Sequence, residues 1–489
     1  MPQTIIRTNY SALVGSEYKP RFRFSHGSNA MRHAIWFLAV FGAFPLDGSW
    51  VSAGFLEDTY PASVVEDAHL NTIQLLEKYK YPAETHKFVT EDNYVLSLHR
   101  IPRPGGKPVL LVHGLQDSSS TWIAMGPHSG LAYFLYDNGY DVWMGNCRGN
   151  RYSREHLKLN PNTDRAYWSF SWHEIGMYDL PAMIDGVLQK TGYQKLSYIG
   201  HSQGTTSFFV MASSRPEYNS KIHVMSALAP VAFMKHMGTP LVSFARLTFT
   251  MFGENYELFP HSFLFLNQCF SSAHLVKTCM HFYWNLAGKN REEQNVTMFP
   301  VTLGHIPAGC NAKQPMHYLQ LQTSDRFCMY DYGDEKNQRL YGKAHPPDYR
   351  LERITAPVAL YYGTADFLSA VEDVQRLAKL LPNVVENHLY RKWNHMDMIW
   401  GISARHSIQP RILEIMQHWE SGGIGANNMG SPLEEEVELN PKETIVFENP
   451  VEIQDEAGSF AGNEEERKSD QEDLEKYLIN AINNPTSEL

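Results

Sequence analysis

The amino-acid sequence predicts an α/β fold built on a mainly parallel sheet with helices on both faces. Short apolar runs alternate with stretches of helical spacing over 64–231 and again over 351–420, which is typical of parallel strands joined by helical crossovers. Most of the apolar runs end at or beside a glycine or a proline, as buried strands commonly do. With 489 residues, of which 43% are hydrophobic, the chain can bury a large core and carry an insertion.

The strands are predicted from continuous apolar runs or from alternation, and the helices from apolar residues spaced three or four apart. A helix over 64–82 comes first, and a hairpin follows whose strands at 87–90 and 94–99 flank the turn residues Glu91-Asp-Asn93. The further predicted strands are 108–113, 141–144, 196–199, 224–228, 358–362 and 386–390, and the further predicted helices are 179–190, 205–214, 371–381 and 406–419.

The alternation of strands and helices is interrupted between Pro230 and Pro357. This stretch is rich in Phe, Leu, Met and His at helical spacing and has few strand signals. It predicts an insertion over 232–350 that forms a mostly helical cap on the sheet. The core then consists of two parts, 54–231 and 351–420.

The acidic charge of the chain is concentrated at its C-terminal end. Residues 421–489 hold 17 acidic and four basic side chains, a net charge of −13, whereas the whole chain has a net charge of −11. A segment so acidic and so poor in aromatic residues is predicted to be a disordered tail. The first 420 residues have no clustered basic face, so no nucleic-acid partner is expected. The five cysteines form no CxxC pair, and no metal site is expected.

An apolar run of 11 residues over 34–44, preceded by Arg32, has the length of a signal-peptide core and is too short to span a bilayer. Because secretory signals lie at the start of a chain, Met31 is a candidate start of translation, and 1–53 is interpreted as an extension plus signal peptide. Cleavage is expected near Val51-Ser-Ala53. A buried N-terminal helix is the alternative. The sequon Asn295-Val-Thr297 agrees with entry into the secretory pathway, and so with a secreted or lysosomal protein.

The segment Gly200-His-Ser-Gln-Gly204 has the pattern G-x-S-x-G. A predicted strand enters it and a predicted helix leaves it, which is the strand–turn–helix arrangement of a nucleophile elbow. The flanking glycines remove side chains that would collide in so sharp a turn. Ser202 is therefore the candidate nucleophile.

A serine nucleophile needs a general base, and the base needs a group that orients it. Asp366 follows a predicted buried strand and His395 follows the last short strand, so both are expected at the edge of the sheet where Ser202 emerges. We assign His395 as general base and then general acid, and Asp366 as the group that holds its tautomer. Asp373 and His388 are the alternatives, although one falls in a predicted helix and the other in a predicted strand.

The oxyanion of an acyl-transfer intermediate needs fixed N–H donors. One is expected from the backbone of Gln203, directly after the nucleophile. The other is expected from the backbone of Leu115, in the loop that follows the strand ending at His113. An ordinary strand-ending turn is the alternative interpretation of His113-Gly-Leu115.

A wider set of motifs resembles the acid lipase family of α/β-hydrolases, which includes lysosomal acid lipase, gastric lipase and insect digestive lipases. The resemblance runs from about 64 to 419 and is highly specific. The motifs that carry it are Glu91-Asp-Asn-Tyr-Val-Leu96, His99-Arg-Ile-Pro102, His113-Gly-Leu115, Gly145-Asn-Cys-Arg-Gly-Asn150, Phe170-Ser-Trp-His-Glu-Ile-Gly176, Tyr178-Asp-Leu-Pro181, Gly200-His-Ser-Gln-Gly-Thr-Thr206, Leu228-Ala-Pro-Val-Ala232, Tyr330-Asp-Tyr-Gly333, Tyr361-Tyr-Gly363 and Trp393-Asn-His-Met-Asp-Met-Ile-Trp-Gly401.

The resemblance implies a core with a helical cap, a Ser-Asp-His triad at the positions already assigned, and no metal or organic cofactor. It also implies a cap disulfide, for which Cys269 and Cys279 fit. Two departures from the family are Cys310-Asn311, where Thr-Ser is usual, and Cys147, where a small residue is common.

The function that these expectations favour is that of a lipase, which cleaves neutral lipid esters at a lipid–water interface through an acyl-enzyme. No stable transmembrane segment is expected. A short-chain esterase or thioesterase is the first alternative, if the pocket under the cap is narrow. A lipid-binding protein that has lost catalysis is the second alternative, although all three triad residues and both elbow glycines are present.

Overall fold

A computed structural model of the protein describes residues 55–238 and 253–422. The predicted signal segment with Met31, and the predicted tail from residue 423 onward, lie outside the described residues.

The central feature is a mixed sheet in the order β1-β2-β4-β3-β6-β7-β10-β11, with the short β5 paired to β2. The pairs from β4 to β11 are parallel, whereas β2 runs antiparallel to β1, β4 and β5. A separate two-stranded ladder joins β8 and β9. The strands are β1 Glu84–Val89, β2 Tyr94–Ile101, β3 Pro108–Val112, β4 Asp141–Gly145, β5 Glu155–His156, β6 Leu196–His201, β7 Ile222–Leu228, β8 Glu257–Leu258, β9 Cys310–Asn311, β10 Val358–Gly363 and β11 Val384–Tyr390.

Helices cover both faces of this sheet. A π-helical turn, Ile175–Asp179, joins α6 to α7, and short 3₁₀ turns occur at Ser119–Trp122, Arg165–Trp168, Pro216–Lys221, Leu351–Arg353 and Ile402–Arg405. The α-helices of the described residues are α1 Phe55–Thr59, α2 Ala62–His69, α3 Thr72–Lys78, α4 Gly126–Ser129, α5 Leu131–Asp137, α6 Trp172–Glu174, α7 Leu180–Thr191, α8 Gln203–Ser214, α9 Leu264–Cys269, α10 Ala273–Ala287, α11 Phe299–His305, α12 Lys313–Ser324, α13 Asp334–Tyr341, α14 Val371–Leu380, α15 Asp397–Trp400 and α16 Ile408–Glu420.

The predicted fold class is confirmed, and the bounds of each predicted strand of the core agree with the structure to within three residues. The single helix predicted over 64–82 is wrong, because the structure has α2 and α3 with a break at Leu70. Asn71 starts the second helix with a capping box, in which its side chain accepts from the Gln74 N–H and the Gln74 side chain accepts from the Asn71 N–H. Such a cap competes with helix continuation and sets a new N-terminus.

The central strands are buried on both faces. Along β3, Val109 and Leu111 belong to one hydrophobic cluster, and Leu110 and Val112 belong to the other. All four side chains are fully buried. A strand buried on both sides reads as a continuous apolar run rather than as an alternation, which is why the sequence pattern located it.

The described part of the chain between β7 and β10 holds α9 to α13 and the β8–β9 ladder. A disulfide joins Cys269 at the end of α9 to Cys279 in α10, which confirms the pairing implied by the family resemblance. Cys147, Cys310 and Cys328 are free and buried.

None of the helices within 55–238 and 253–422 combines the length and the apolar character that a bilayer crossing requires.

A buried ion cluster ties the hairpin turn to the helical layer. The guanidinium of Arg148 donates to both carboxylate oxygens of Asp92, at 2.6 and 2.8 Å, and its Nε donates to Asp179 at 2.7 Å. The side chains of Arg148 and Asp179 are 1% and 0% exposed. The Tyr94 ring lies 3.9 Å from the guanidinium carbon. Removing the arginine would leave the Asp179 carboxylate buried without its cation.

We expect Arg148→Met to lower the free energy of unfolding by about 3–5 kcal/mol, the usual result of breaking a buried ion pair from one side. Arg215→Met is the matched control, because Arg215 pairs with the exposed Glu91, and such pairs contribute at most about 1 kcal/mol. Urea unfolding of both variants measures the difference. Equal losses in the two variants would contradict a special role for the buried cluster.

Candidate active site

The turn at Ser202 connects β6 directly to α8. Ser202 has φ 51° and ψ −114°, a positive φ that is strained for any residue with a side chain. The helix starts so close to the sheet that a Cβ on Gly204 would overlap the backbone carbonyl of Val112 in β3. A glycine is therefore required at 204, and the tight turn leaves the Ser202 side chain partly exposed above the sheet edge.

The position of Ser202 is fixed by the neighbouring strand and by its own helix. Its N–H donates to the carbonyl of Leu228, the last residue of β7, at 3.0 Å. It is also the N-cap residue of α8. A helix N-terminus carries partial positive charge and unsatisfied N–H groups, so negative charge that develops near Ser202 is favoured.

The structure brings Asp366 and His395 into direct contact. His395 Nδ1 lies 2.8 Å from Asp366 Oδ2 and 3.0 Å from Oδ1. The Oδ1 atom also accepts the N–H groups of Leu368 and Ser369, each at 2.8 Å. The carboxylate oxygens accept in all of these contacts. The imidazole Nδ1 therefore carries the proton that it donates to Asp366.

Two loops meet to produce this contact. Asp366 lies in the loop after β10 and His395 in the loop after β11. The Thr364 N–H donates to Tyr390 O and the Ala365 N–H donates to Trp393 O, both at 3.0 Å. These bonds join the two loops side by side, so the carboxylate and the imidazole are held at fixed positions.

The other side of the His395 imidazole is left available. Its Nε2 atom is buried and, within the described residues, has no hydrogen-bond partner. The backbone of His395 is held at both ends, because its N–H donates to Ala287 O at 3.1 Å and its carbonyl lies 2.9 Å from His201 Nε2. An ordered base with an unoccupied Nε2 can accept a proton from a nucleophile.

His201 links the elbow to the His395 loop and was not identified from the sequence. It occupies a variable position of the G-x-S-x-G pattern, and only the fold shows that it contacts His395. Burial lowers the pKa of His201 to about 3. The ring is therefore neutral, and Nε2 donates its hydrogen to the His395 carbonyl.

The alternative candidates lie elsewhere. Asp373 belongs to α14 and accepts from the backbone N–H and from Nδ1 of His236, each at 2.9 Å. His388 belongs to β11, with its nearest carboxylate, Glu386, 3.9 Å away. Neither residue is paired with His395 or Asp366.

Leu115 and Gln203 come from adjacent strand ends, because β3 and β6 pair with Val112 opposite Gly200. A Cβ on Gly114 would lie 3.3 Å from the Ser202 Cβ and 3.1 Å from His201 Nδ1, so the loop backbone passes directly beside Ser202. The N–H groups of Leu115 and Gln203 have no acceptor among the described residues.

A polar network lies behind His395. Asp397 Oδ2 accepts the Asn394 N–H at 2.7 Å and the Asn290 side-chain amide at 2.8 Å. Burial raises the pKa of Asp397 to about 7, and the nearby Glu293 and Asp366 carboxylates raise it further while the two donors lower it. Asp397 also borders a small cavity with Glu293 and the buried amide of Gln294. No cluster of three or more metal-binding side chains occurs within the described ranges.

The raised pKa of Asp397 predicts a pH effect on stability. Because the folded protein binds this proton more tightly than the unfolded chain, whose Asp has a pKa of about 3.9, the stabilisation is full below about pH 4. It is lost as the pH rises to about 7. Relative to Asp397→Asn, the wild type should lose up to about 1.4 kcal/mol for each pH unit in this window.

Urea unfolding at intervals from pH 4 to 8 checks this expectation. The exposed Asp58→Asn is the control and should follow the wild-type curve. Parallel curves for the wild type and Asp397→Asn would show that Asp397 does not retain a proton in the folded state.

Comparison with known families agrees with this geometry. A family model described as the alpha/beta hydrolase fold matches residues 107–402, and a second model, described as a partial alpha/beta-hydrolase lipase region, matches residues 72–126. The chain therefore belongs to the α/β-hydrolase family.

Several lipases are similar to this chain in sequence. Lipase 1 of Drosophila melanogaster is 45% identical over 72% of this chain and 81% of its own length. Lipase member M of Homo sapiens is 36% identical over 74% of this chain and 89% of its own length. Gastric triacylglycerol lipase of Rattus norvegicus is 36% identical over 72% of this chain and 92% of its own length. These relatives confirm the resemblance to gastric and insect lipases.

Proposed function

We propose that the protein is a lipase, a serine carboxylic-ester hydrolase that cleaves neutral lipid esters such as triacylglycerols or sterol esters. The observation that carries the proposal is the Asp366–His395 pair, which lies at the same sheet edge as the strained Ser202. Among the described residues, Nε2 of His395 has no hydrogen-bond partner. The lipase names of the relatives support the substrate class.

The reaction begins with attack of Ser202 Oγ on the ester carbonyl carbon. His395 Nε2 takes the hydroxyl proton, and Asp366 stabilises the imidazolium that forms and keeps its Nδ1–H directed inward. A tetrahedral intermediate results, with a single bond from Oγ to carbon and negative charge on the former carbonyl oxygen.

The negative oxygen is bound by the N–H groups of Leu115 and Gln203 and lies near the N-terminus of α8. Donors held rigidly before the reaction pay no reorganisation cost when the charge develops, and each contributes roughly 10²–10³ in rate. The absence of an acceptor for either N–H among the described residues supports this assignment.

The two remaining steps return the enzyme to its starting state. His395 gives its proton to the leaving alcohol oxygen as the carbon–oxygen bond of the ester breaks, and the acyl group stays on Ser202. A water molecule then attacks the acyl carbon while His395 takes one of its protons. The bond from this carbon to Ser202 Oγ breaks, His395 returns the proton to Oγ, and the fatty acid leaves.

We assign residues 232–350 as the cap of this site and 54–231 with 351–420 as the core. Leu115 packs beside the small apolar cluster of Leu258, Cys310 and Ala312, which belongs to the β8–β9 ladder of this insertion. Apolar side chains so close to the oxyanion loop suit an acyl chain better than a polar substrate.

We also propose that the protein enters the secretory pathway and is secreted or lysosomal. The disulfide between Cys269 and Cys279 supports this, because disulfides persist mainly in oxidising compartments. The sequon at Asn295 is consistent with the same route.

Ser202→Ala should abolish hydrolysis of triolein, with a loss of about 10⁴-fold or more in kcat, while binding of a non-hydrolysable ether lipid is retained. Titrimetric fatty-acid release and lipid binding are the measurements. Ser220→Ala, an exposed serine, is the control and should keep full activity. Unchanged hydrolysis in Ser202→Ala would remove this residue from the mechanism, whereas a wild type that binds lipid without hydrolysing it would favour a binding protein.

Acyl-chain length separates a lipase from the alternative esterase or thioesterase. Triolein, a cholesteryl ester and a series of esters from acetyl to oleoyl should all be tested at acid and neutral pH. A lipase keeps or increases kcat/KM towards the long chains. A steep fall beyond about four carbons, as a narrow apolar pocket would produce, would contradict the lipase assignment.

A further inference from the structure

A buried histidine that the proposed triad does not use lies at the base of the oxyanion loop. His113 directly follows β3 and is 3% exposed. Its Nδ1 lies 2.7 Å from the carbonyl oxygen of Gly114. Its Nε2 receives the backbone N–H of Cys147 at 3.2 Å and the side-chain amide of Asn150 at 3.1 Å.

These hydrogen-bond partners determine which of the two ring nitrogens carries the hydrogen. Two N–H donors point at Nε2, so this atom must present its lone pair. The single hydrogen of the neutral ring is then on Nδ1, where it is donated to the Gly114 carbonyl. Burial lowers the pKa of His113 to about 4, which keeps the ring neutral through the weakly acidic range.

The carbonyl that accepts this hydrogen belongs to the same peptide group as the Leu115 N–H. The cis peptide in the described residues is Ile306–Pro307, so the Gly114–Leu115 peptide is trans. In a trans peptide, the C=O and N–H vectors point in opposite directions. Holding the Gly114 oxygen therefore determines the direction of the Leu115 N–H, and a hydrogen bond to the oxygen also polarises the N–H.

The imidazole is itself held by a rigid polar frame. Asn150 also donates to Asn146 Oδ1 at 2.9 Å, and the same oxygen accepts the Ser119 N–H at 2.9 Å. Asn146 in turn donates to the Ser97 carbonyl of β2 at 3.0 Å. All of these side chains are buried, and the frame ties the oxyanion loop to the middle of β2 and to the end of β4.

We propose that His113 is a positioning residue that fixes the Gly114–Leu115 peptide and so directs the Leu115 N–H towards the oxygen of the tetrahedral intermediate. The inference rests on the proposed function and adds a residue that acts through Leu115 without touching substrate.

A matched pair of substitutions separates the role of the donor Nδ1 from that of the acceptor Nε2. His113→Asn places an amide nitrogen at the position of Nδ1 and can still donate to Gly114 O. His113→Gln places an amide oxygen at the position of Nε2, which keeps the acceptor for Cys147 and Asn150 but removes the donor to Gly114. We expect His113→Gln to lower kcat by about 10²-fold, the size of a lost oxyanion donor, with KM nearly unchanged. His113→Asn should retain most of kcat.

Inhibitor binding distinguishes positioning from a general structural role. An alkyl trifluoromethyl ketone forms a hemiketal, in which Ser202 Oγ bonds to the carbonyl carbon, the hydroxyl proton passes to His395 and the ketone oxygen becomes the oxyanion. His113→Gln should bind this ketone about 100-fold more weakly, whereas an alkyl ether of the same length should bind as to the wild type. Parallel losses for ketone and ether, or full kcat in His113→Gln, would overturn the proposal.

If both substitutions prevent folding, the wild-type protein still decides the question. Nitrogen-15 labelling of histidine should show His113 as the Nδ1–H tautomer, with its proton resonance moving when the ketone binds. An Nε2–H tautomer would overturn the proposal. Failure of the wild type to hydrolyse any ester would refute the proposed function, whereas full activity of His113→Gln refutes only the role of His113.

Discussion

The close approach of α8 to the sheet is the constraint on which the site depends. The first turn of the helix lies against the Val112 carbonyl, and only the absence of a side chain at Gly204 permits this. The contact leaves no room for an ordinary turn, so Ser202 adopts a positive φ. As a result, Ser202 lies at the carboxyl ends of the parallel strands. The loops after β3, β10 and β11 leave the sheet at this edge, so the other groups can meet around it.

Burial favours the neutral forms of several titratable groups around Ser202. Burial keeps His113 and His201 uncharged, with pKa values of about 4 and about 3, and raises that of Asp397 to about 7. A neutral histidine has one donor and one acceptor nitrogen, so it can orient a backbone group without adding charge.

The loop after β3 also contacts the segment between β7 and β10. The Gln116 carbonyl accepts the Ala308 N–H at 2.7 Å, and its side-chain amide lies 2.9 Å from Leu258 O and 3.0 Å from Cys310 Sγ. Cys310 is one of the positions at which the sequence departs from the family pattern, and the structure places it directly on this loop. The loop is thus held from the sheet side by His113 and from the β8–β9 side by Gln116, the residue next to Leu115.

The sequence by itself determined the main strands of the core and the sharp turn at Ser202, and it predicted Asp366 and His395 in the loops after two of these strands. These follow from apolar runs that end at glycine and from short motifs after strand ends. The prediction from sequence failed where local signals conflict. At Asn71, a helix cap divides a stretch that helical spacing alone predicts to be one continuous helix. Only the tertiary structure decided the contacts of His395 with Ala287 and His201. It also decided which ring nitrogen of His113 faces donors and which faces an acceptor, and how deeply Asp397 is buried. The partners in these contacts are up to 194 residues apart, and periodicity carries no information about which loops will meet. Burial and hydrogen-bond geometry, which set the protonation of these groups, exist only once the chain has folded.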